Sequence, residues 1–300
     1  MQKQINFDLK GLYLWLQANK ITLNATKTEM IIFRKNGQNI PLNLRIVING
    51  QRLYPTESIK YLGIYLDEYL RGTAHIDYLQ LKLRRANGML SKIRHYTSLA
   101  QIKSIYHSIF ASHLTYGCQI WGHSPTNTFI NKIQVLQNNA LRLISFVSDY
   151  RDHVSPLYVK LKLLKIKDII TMKNLLFIHD YFNGRLPESF NDLFILDKDK
   201  LMYKTDDIRP SQIPKKFNDY VLTEINMQPQ ETPIPGQLYK PEYESIRYGR
   251  NSLKYSAITS WNHLNRKCYK TNPEIIFIAM SRNKFKELVV NDYIQDYGLE

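Results

Sequence analysis

Near Thr73 the spacing of apolar residues changes period, and this divides the chain into two unlike parts. Upstream, Leu44, Ile46 and Ile48 alternate with Arg45 and Val47, the period-two pattern of a strand. Downstream, Ile76, Leu79, Leu83, Ala86, Leu90 and Ile93 fall on one face of a helix. Strands confined to one end and helices to the other predict an α+β fold: a small antiparallel sheet with one helix, followed by a mainly α-helical region.

In the upstream part, Asn6 is positioned to cap a helix carrying Leu9, Leu12, Tyr13 and Leu16 and ending near Asn19-Lys20. A short apolar strand is expected from Met30 to Phe33, followed by a polar turn over Lys35–Asn39. Asn49-Gly50 supplies the positive φ angles of a tight hairpin turn, with Gln51 to Tyr54 returning antiparallel. A further strand from Ile59 to Leu66 would complete a three-stranded antiparallel unit over Leu44–Leu66. The first helix should pack on it through Leu9, Leu12 and Leu16. One sheet face would stay open, which predicts poor solubility or dependence on a partner.

In the downstream part, Ser98 and Gln101 form the sequence pattern of a capping box, opening a helix with Ile102, Ile105, Tyr106, Ile109 and Phe110 inward. Another helix is expected from Phe129 to Phe146 through Ile133, Leu136, Ala140 and Ile144. Ser155-Pro156 reads as a cap followed by a first-turn proline, and helix continues to Phe182, where Asn183-Gly184 can stop it. Leu196 to Gly236 is rich in Asp, Lys, Pro and Gln and reads as a linker. Helix resumes over Ser252–Leu264 and Asn283–Tyr297. The segments expected are therefore 1–70, 71–125, 126–195, the linker 196–236, and 237–300.

Charge narrows the choice of partner. The 300 residues carry 41 Lys+Arg against 26 Asp+Glu, a formal net charge of +15. Such a charge repels itself unless an anion offsets it, and nucleic acid is the commonest such anion. The bias is strongest from Arg71 to Lys103, where Arg71, Lys82, Arg84, Arg85, Lys92, Arg94 and Lys103 face one acid, Asp77. Phosphate contact is the favoured reading of that stretch, with a solvated basic face as the alternative. The Lys-rich Tyr158–Lys173 stretch is the next candidate.

Cys118 and Cys268, the two cysteines, lie in separate apolar and aromatic segments and lack the paired spacing of a zinc site. They fit a reducing compartment. His107 and His113 do not share a helical face, which argues against a metal there. The N-terminus lacks the apolar core of a signal peptide, and no run is apolar enough to cross a membrane. The expectation is an intracellular protein of nucleus or cytoplasm, with no membrane partner and no secretion.

Seven short motifs then occur in order. Leu14-Trp15-Leu16, followed by Asn19-Lys20-Ile21-Thr22-Leu23-Asn24-Ala25-Thr26-Lys27-Thr28, Met30 and Phe33, resembles the palm segment just after the catalytic Asp-Asp of jockey-like non-LTR reverse transcriptases. Lys60-Tyr61-Leu62-Gly63-Ile64 resembles that family's primer-grip strand. Tyr116-Gly117 with Trp121-Gly122 resembles the end of the thumb, and Leu136-Gln137-Asn138-Asn139-Ala140-Leu141-Arg142 the helix after it. Gly184-Arg185-Leu186-Pro187, Ser256-Ala257 with Trp261-Asn262, and Ser281 to Lys286 resemble later segments. Each motif alone is weak, and the order is what carries the resemblance.

The resemblance implies a residual palm, a helical thumb, a helical connection and a C-terminal segment of an RNA-directed DNA polymerase that uses Mg²⁺ and deoxynucleotides. It begins downstream of the carboxylates that hold two catalytic metal ions, so these residues are expected to bind nucleic acid and not to polymerise alone. No catalytic residue, metal ligand or cofactor is expected in the chain itself. RNA and DNA are the expected partners, with an upstream part of the polymerase as a further candidate. A non-enzymatic RNA- or DNA-binding protein derived from a mobile element is the alternative. By the resemblance, Lys27 would lie near the incoming nucleotide and protonate the leaving pyrophosphate; it also reads as a surface lysine after a helix. Tyr61, Leu62 and Gly63 would position the primer, or form a buried strand with a kink. The basic helix from Thr73 would lie along the template–primer. Tyr203-Lys204-Thr205-Asp206-Asp207 mimics a catalytic signature but lies in the polar linker and reads as a turn.

Overall fold

The structure is a computed structural model that describes residues 2–41, 43–122, 127–147, 153–190, 193–194, 238, 253–271 and 280–298. The linker expected over 196–236, and with it Tyr203–Asp207, lies outside the described residues. The chain divides into two compact units, Met1–Leu79 and Gln80–Glu300. The fold is α+β, and its strands form two separate two-stranded antiparallel sheets.

The first unit opens with α1, Gln2–Ala18. It begins earlier than its sequence suggests, so Asn6 lies inside the helix and does not cap it. Its amide instead faces the edge of β1 (Ile46–Ile48). It donates to the Arg45 carbonyl at 3.0 Å and accepts from the Val47 N–H at 2.9 Å. Further along α1, Asp8 accepts from Gln4 at 2.9 Å. α1 stops where Lys20 takes φ 58°, and Asn19 donates to the Trp15 carbonyl at 2.8 Å. The expected packing through Leu12 is not found. Leu12 is exposed, Leu9 and Leu16 are half-buried, and no residue of α1 is fully buried.

β1 pairs with β2 (Gln51–Leu53) around Asn49-Gly50, both at positive φ, in the register Ile46 to Leu53. The expected third strand does not join them. Ile59–Leu66 folds back on itself as β3 (Ser58–Tyr61) and β4 (Ile64–Asp67), joined by Leu62 at φ 46° and Gly63 at φ 83°. Two consecutive positive φ angles reverse the chain too sharply for one continuous strand. Met30 makes a single bridge to Pro55, and the strand expected over Met30–Phe33 does not form. Asp67 then organises the exit from β4. Its carboxylate accepts from the backbone N–H groups of Tyr69, Arg71 and Gly72 at 3.2, 2.9 and 2.8 Å, just before α2 (Thr73–Ile93).

The second unit has a deep helical core. α3 (Leu99–Tyr106) opens on the expected capping box, with Ser98 and Gln101 bonded both ways. It continues through one π turn, His107–Ala111, into α4 (Ser112–Thr115). The π turn advances the helix by an extra residue per turn. Tyr106 and Phe110 stack at 5.2 Å within it. Next come α5 (Cys118–Trp121) and α6 (Asn127–Ile144). Ser155 is the first residue of α7 (Ser155–Leu161) and not its cap; Val154 holds that place, with no side-chain bond. Lys162, at φ 52°, breaks α7 from α8 (Ile166–Phe182). α9 (Leu253–Thr271) and α10 (Arg282–Tyr297) follow. The buried α8 is the hub, packed by α4, α5, α6, α9 and α10.

Several polar groups in that core are matched. Gln137 is buried and donates to the Leu164 carbonyl at 2.8 Å. Gln134 donates to Tyr158 at 2.6 Å and accepts from the Ile166 N–H at 3.1 Å. At the last turn of α10 the Tyr297 hydroxyl donates to Asp168 and accepts from the Lys165 N–H at 3.0 Å. No helix among the described residues is long and apolar enough to cross a membrane.

Candidate nucleic-acid interface

α2 turns most of its apolar residues inward and leaves its cations outward together with Leu81 and Met89, which are exposed. Ile76, Leu79, Leu83, Ala86 and Leu90 are buried. Within the second unit, Asn87 fixes the helix against α6 by donating to the Leu136 carbonyl at 3.0 Å. Arg84, Arg85 and Lys92 are exposed. Arg85 and Lys92 are two turns apart and so share a face, with Arg84 about 100° round from Arg85. Gly88 lies on the same side, and a Cβ there would meet nothing within 4 Å. Arg85 and Lys92 are thus open to solvent on one side of the helix, with the exposed Met89 between them. From Tyr78 through Ser148 the sequence contains no Asp or Glu, so no nearby acid in the sequence offsets these cations.

The other basic residues of the segment differ. Lys82 is half-buried, and with burial as the larger cause it lowers the pKa of His113. Lys103, half-buried on α3, acts likewise on His107 together with Lys286; burial again leads. The Arg94 guanidinium lies over the Phe146 ring at 5.4 Å, and its Nε donates to His95 at 3.2 Å. Arg71 belongs to the first unit, with its guanidinium over the Tyr69 ring at 4.4 Å and its Nε buried without a hydrogen-bond partner. In the Tyr158–Lys173 stretch, Lys160, Lys162 and Lys167 are exposed, while the Lys165 ammonium lies over Tyr297 at 4.5 Å.

Lys27 ends a short 3-10 turn built by Asn24, whose side chain accepts from Thr26 at 2.7 Å and from the Lys27 N–H at 3.2 Å. The lysine side chain is exposed. Tyr61 and Leu62, 60% and 73% exposed, stand at the tip of the β3–β4 hairpin with Gly63. They are not a buried kinked strand. Behind the tip, Lys60 lies over the rings of Tyr65 and Tyr78 at 5.7 and 5.3 Å. His75 is buried there and accepts the Tyr65 N–H at 3.3 Å; burial lowers its pKa to about 4.

Several recurring motifs turn out to be packing devices. Trp121 is buried and donates to the Tyr116 carbonyl at 2.9 Å. A Cβ on Gly122 would strike the Cys118 carbonyl and come within 2.7 Å of the Ile170 side chain, so only glycine fits. Asn262 clamps the backbone of Leu238, accepting its N–H at 2.8 Å and donating to its carbonyl at 2.7 Å. Phe285 is buried against Trp261 and stacks on His179 at 4.8 Å. Cys118 is a buried thiol whose pKa burial raises to about 11; the Cys268 side chain lies outside the described ones. Among the described residues no three His, Cys, Asp or Glu side chains gather as a metal ion requires. The described residues therefore offer no cluster fitted to Mg²⁺. Two features had no counterpart in the sequence reading: the Asp67 cap, and an exposed Tyr96 among the cations. The run Arg94-His95-Tyr96 was the available signal for the second.

The comparisons with known proteins agree with the resemblance carried by the motifs. The chain is 32% identical over 134 residues to the RNA-directed DNA polymerase from mobile element jockey of Drosophila melanogaster. It is 35% identical over 135 residues to the polymerase of the same description from Drosophila funebris. It is 30% identical over 134 residues to the probable RNA-directed DNA polymerase from transposon X-element of Drosophila melanogaster. In each case the match covers 44% of this chain and 14% of the relative. These relatives are jockey and other non-LTR retrotransposon RNA-directed DNA polymerases. No protein-family profile matches the chain, and no solved structure does.

Proposed function

We propose that this chain is a nucleic-acid-holding segment of a retrotransposon RNA-directed DNA polymerase, and that α2 does the holding. The observation that carries the reading is the exposed set Arg84, Arg85 and Lys92 on a helix whose opposite face is locked into a core. The helix backbone beneath these cations is already ordered, and binding releases the counterions condensed on the nucleic acid. Lys82, Arg94 and Lys103 supply a second rank, since each is partly occupied within the protein. Arg71 serves the first unit by packing on Tyr69 and is the weakest phosphate ligand of the seven. Backbone contacts of this type place a strand without reading its sequence. The exposed tip Tyr61-Leu62-Gly63 is open to a primer strand, and Lys27 is accessible to a nucleotide phosphate. The polymerase would draw its Mg²⁺ ligands from carboxylates outside the described residues.

Replacing Arg84, Arg85 and Lys92 by Gln tests the reading. Binding to RNA or DNA should weaken by roughly 1–3 kcal/mol with no change in preference among sequences. The apolar face of Leu79, Leu83, Ala86 and Leu90 is untouched, so helix content should not change. A triple variant that binds as tightly as the parent would move the site elsewhere, first to Lys160, Lys162 and Lys167. The chain alone should also give no templated primer extension with Mg²⁺ or Mn²⁺. Incorporation abolished by Asp206→Ala with Asp207→Ala would make that pair catalytic.

A further inference from the structure

Among the described residues Tyr96 is the large apolar or aromatic side chain most open to solvent, 88% exposed. It does not sit on a loose loop. It is the last residue of a 3-10 turn, Arg94–Tyr96, that joins α2 to α3. On one side Thr97 donates from its hydroxyl to the Ile93 carbonyl at 3.2 Å. On the other the capping box of Ser98 and Gln101 pins the start of α3, with the Ser98 N–H donating to Gln101 at 2.8 Å. The backbone that carries the ring is therefore anchored between two helix ends, and the ring itself stands open to solvent.

Its neighbours are cationic and aromatic. Lys92, on the last turn of α2, is exposed. Arg94 and His95 both meet Phe146, the guanidinium over its face at 5.4 Å and the imidazole edge-on at 6.0 Å. Phe146 is itself half open to solvent. A phenol ring displayed at the end of a row of phosphate-binding cations has the composition of a base-stacking platform. Cations follow the backbone, and the flat ring accepts the face of an unpaired base whatever its identity.

We infer that Tyr96 stacks on an unpaired nucleobase, so that the α2–α3 corner engages a single strand where α2 engages backbone phosphates. The inference rests on the reading of α2 as a nucleic-acid face and adds the class of ligand it takes at this end: a single-stranded segment with exposed bases. A duplex keeps its bases stacked on each other and gives Tyr96 nothing to cover. Duplex binding should therefore use Arg84, Arg85 and Lys92, and single-strand binding should use these and Tyr96.

The test uses the full chain with a single-stranded DNA of about 15 nucleotides, a length of the order such sites cover, and with its duplex. Tyr96→Ala should weaken single-strand binding about tenfold and duplex binding by less than about twofold. Tyr96→Trp should restore it, and the salt dependence of both variants should match the parent, because no charge has changed. A 2-aminopurine placed in the single strand should lose fluorescence on binding the parent and not on binding Tyr96→Ala. Equal losses on single strand and duplex, or no loss on either, would overturn the platform while leaving the α2 reading intact. A parent chain that binds neither probe would overturn both. The side chain touches little of the core, so Tyr96→Ala should keep the parent's melting temperature.

Discussion

The two units solve burial differently. In Met1–Leu79 the buried apolar residues are few: Ile46, Ile48, Ile64, Ile76 and Leu79, while Phe7, Leu12, Leu14 and Trp15 of α1 lie exposed. Order there comes from polar clamps: Asn6 on the edge of β1, Asp67 on the amides before α2, and Arg34 paired with Glu68 at 2.8 Å. In Gln80–Glu300 order comes from packing around α8, with Trp121, Trp261, Tyr106, Tyr158, Phe110 and Phe285 all interior. The exposed Arg84, Arg85 and Lys92, which the proposed function uses, rise from the unit with the deeper core. A large exposed apolar face such as that of α1 is characteristic of a surface that another chain or segment covers.

The contrast breaks if the two units respond alike to loss of apolar bulk. Leu83→Ala, at a fully buried site, should lower stability by about 2–5 kcal/mol in denaturant unfolding. Leu14→Ala, at an exposed helical site, should stay within about 0.5 kcal/mol. Comparable losses at both would mean that α1 is covered in solution.

The clamps of the first unit are open to the same kind of test. Asp67→Ala leaves three backbone N–H groups without their acceptor and should cost roughly 1–3 kcal/mol. Asp67→Asn, which keeps one acceptor oxygen, should cost less. Hydrogen exchange at Tyr69, Arg71 and Gly72 reads the local effect. No faster exchange in Asp67→Ala would show that the carboxylate is not the organiser.

A finer contrast lies in pH. The folded pKa of His75 is about 4 against an ordinary value of 6.5, because burial disfavours the imidazolium. The unfolded chain therefore binds the proton more readily, and folding is favoured above the ordinary value. That stability should be fully present above about pH 6.5 and decline as pH falls through about 4. His75→Asn keeps an acceptor for the Tyr65 N–H and should flatten the decline in the first unit. A parent whose first-unit exchange rates show no such pH dependence, after correction for intrinsic exchange, would contradict this.

Legibility in the sequence followed the same division. α2, the capping box at Ser98 and the stop after Phe182 were readable because a long apolar period or a specific side-chain bond fixed them locally. The first unit misled. Ile59–Leu66 looks like one strand because nothing in Leu62 announces a positive φ, and only the Gly63 beside it makes the turn feasible. The apolar spacing of α1 promised burial, but no described surface of its unit takes Leu12. Asn6 looked like a cap because its partner, the edge of β1, is remote in sequence. In the second unit the π turn at His107–Ala111 and the break at Lys162 depend on tertiary packing and leave no local mark. Of the interface, the charges from Arg71 to Lys103 were visible as a bias in composition. Their sorting into exposed Arg84, Arg85 and Lys92 and occupied Arg71 and Arg94 needed coordinates.

The central claim is that α2 holds nucleic acid by its phosphates. Affinity for a mixed-sequence duplex should be measured from about 50 to about 200 mM salt, for the parent chain and for the Arg84→Gln, Arg85→Gln, Lys92→Gln variant. If about four cations reach phosphates, log affinity should fall with log salt with a slope of roughly −3 to −4, and the triple variant should have a clearly shallower slope. A parent whose affinity does not change with salt, or a variant with the parent's slope, would contradict the account.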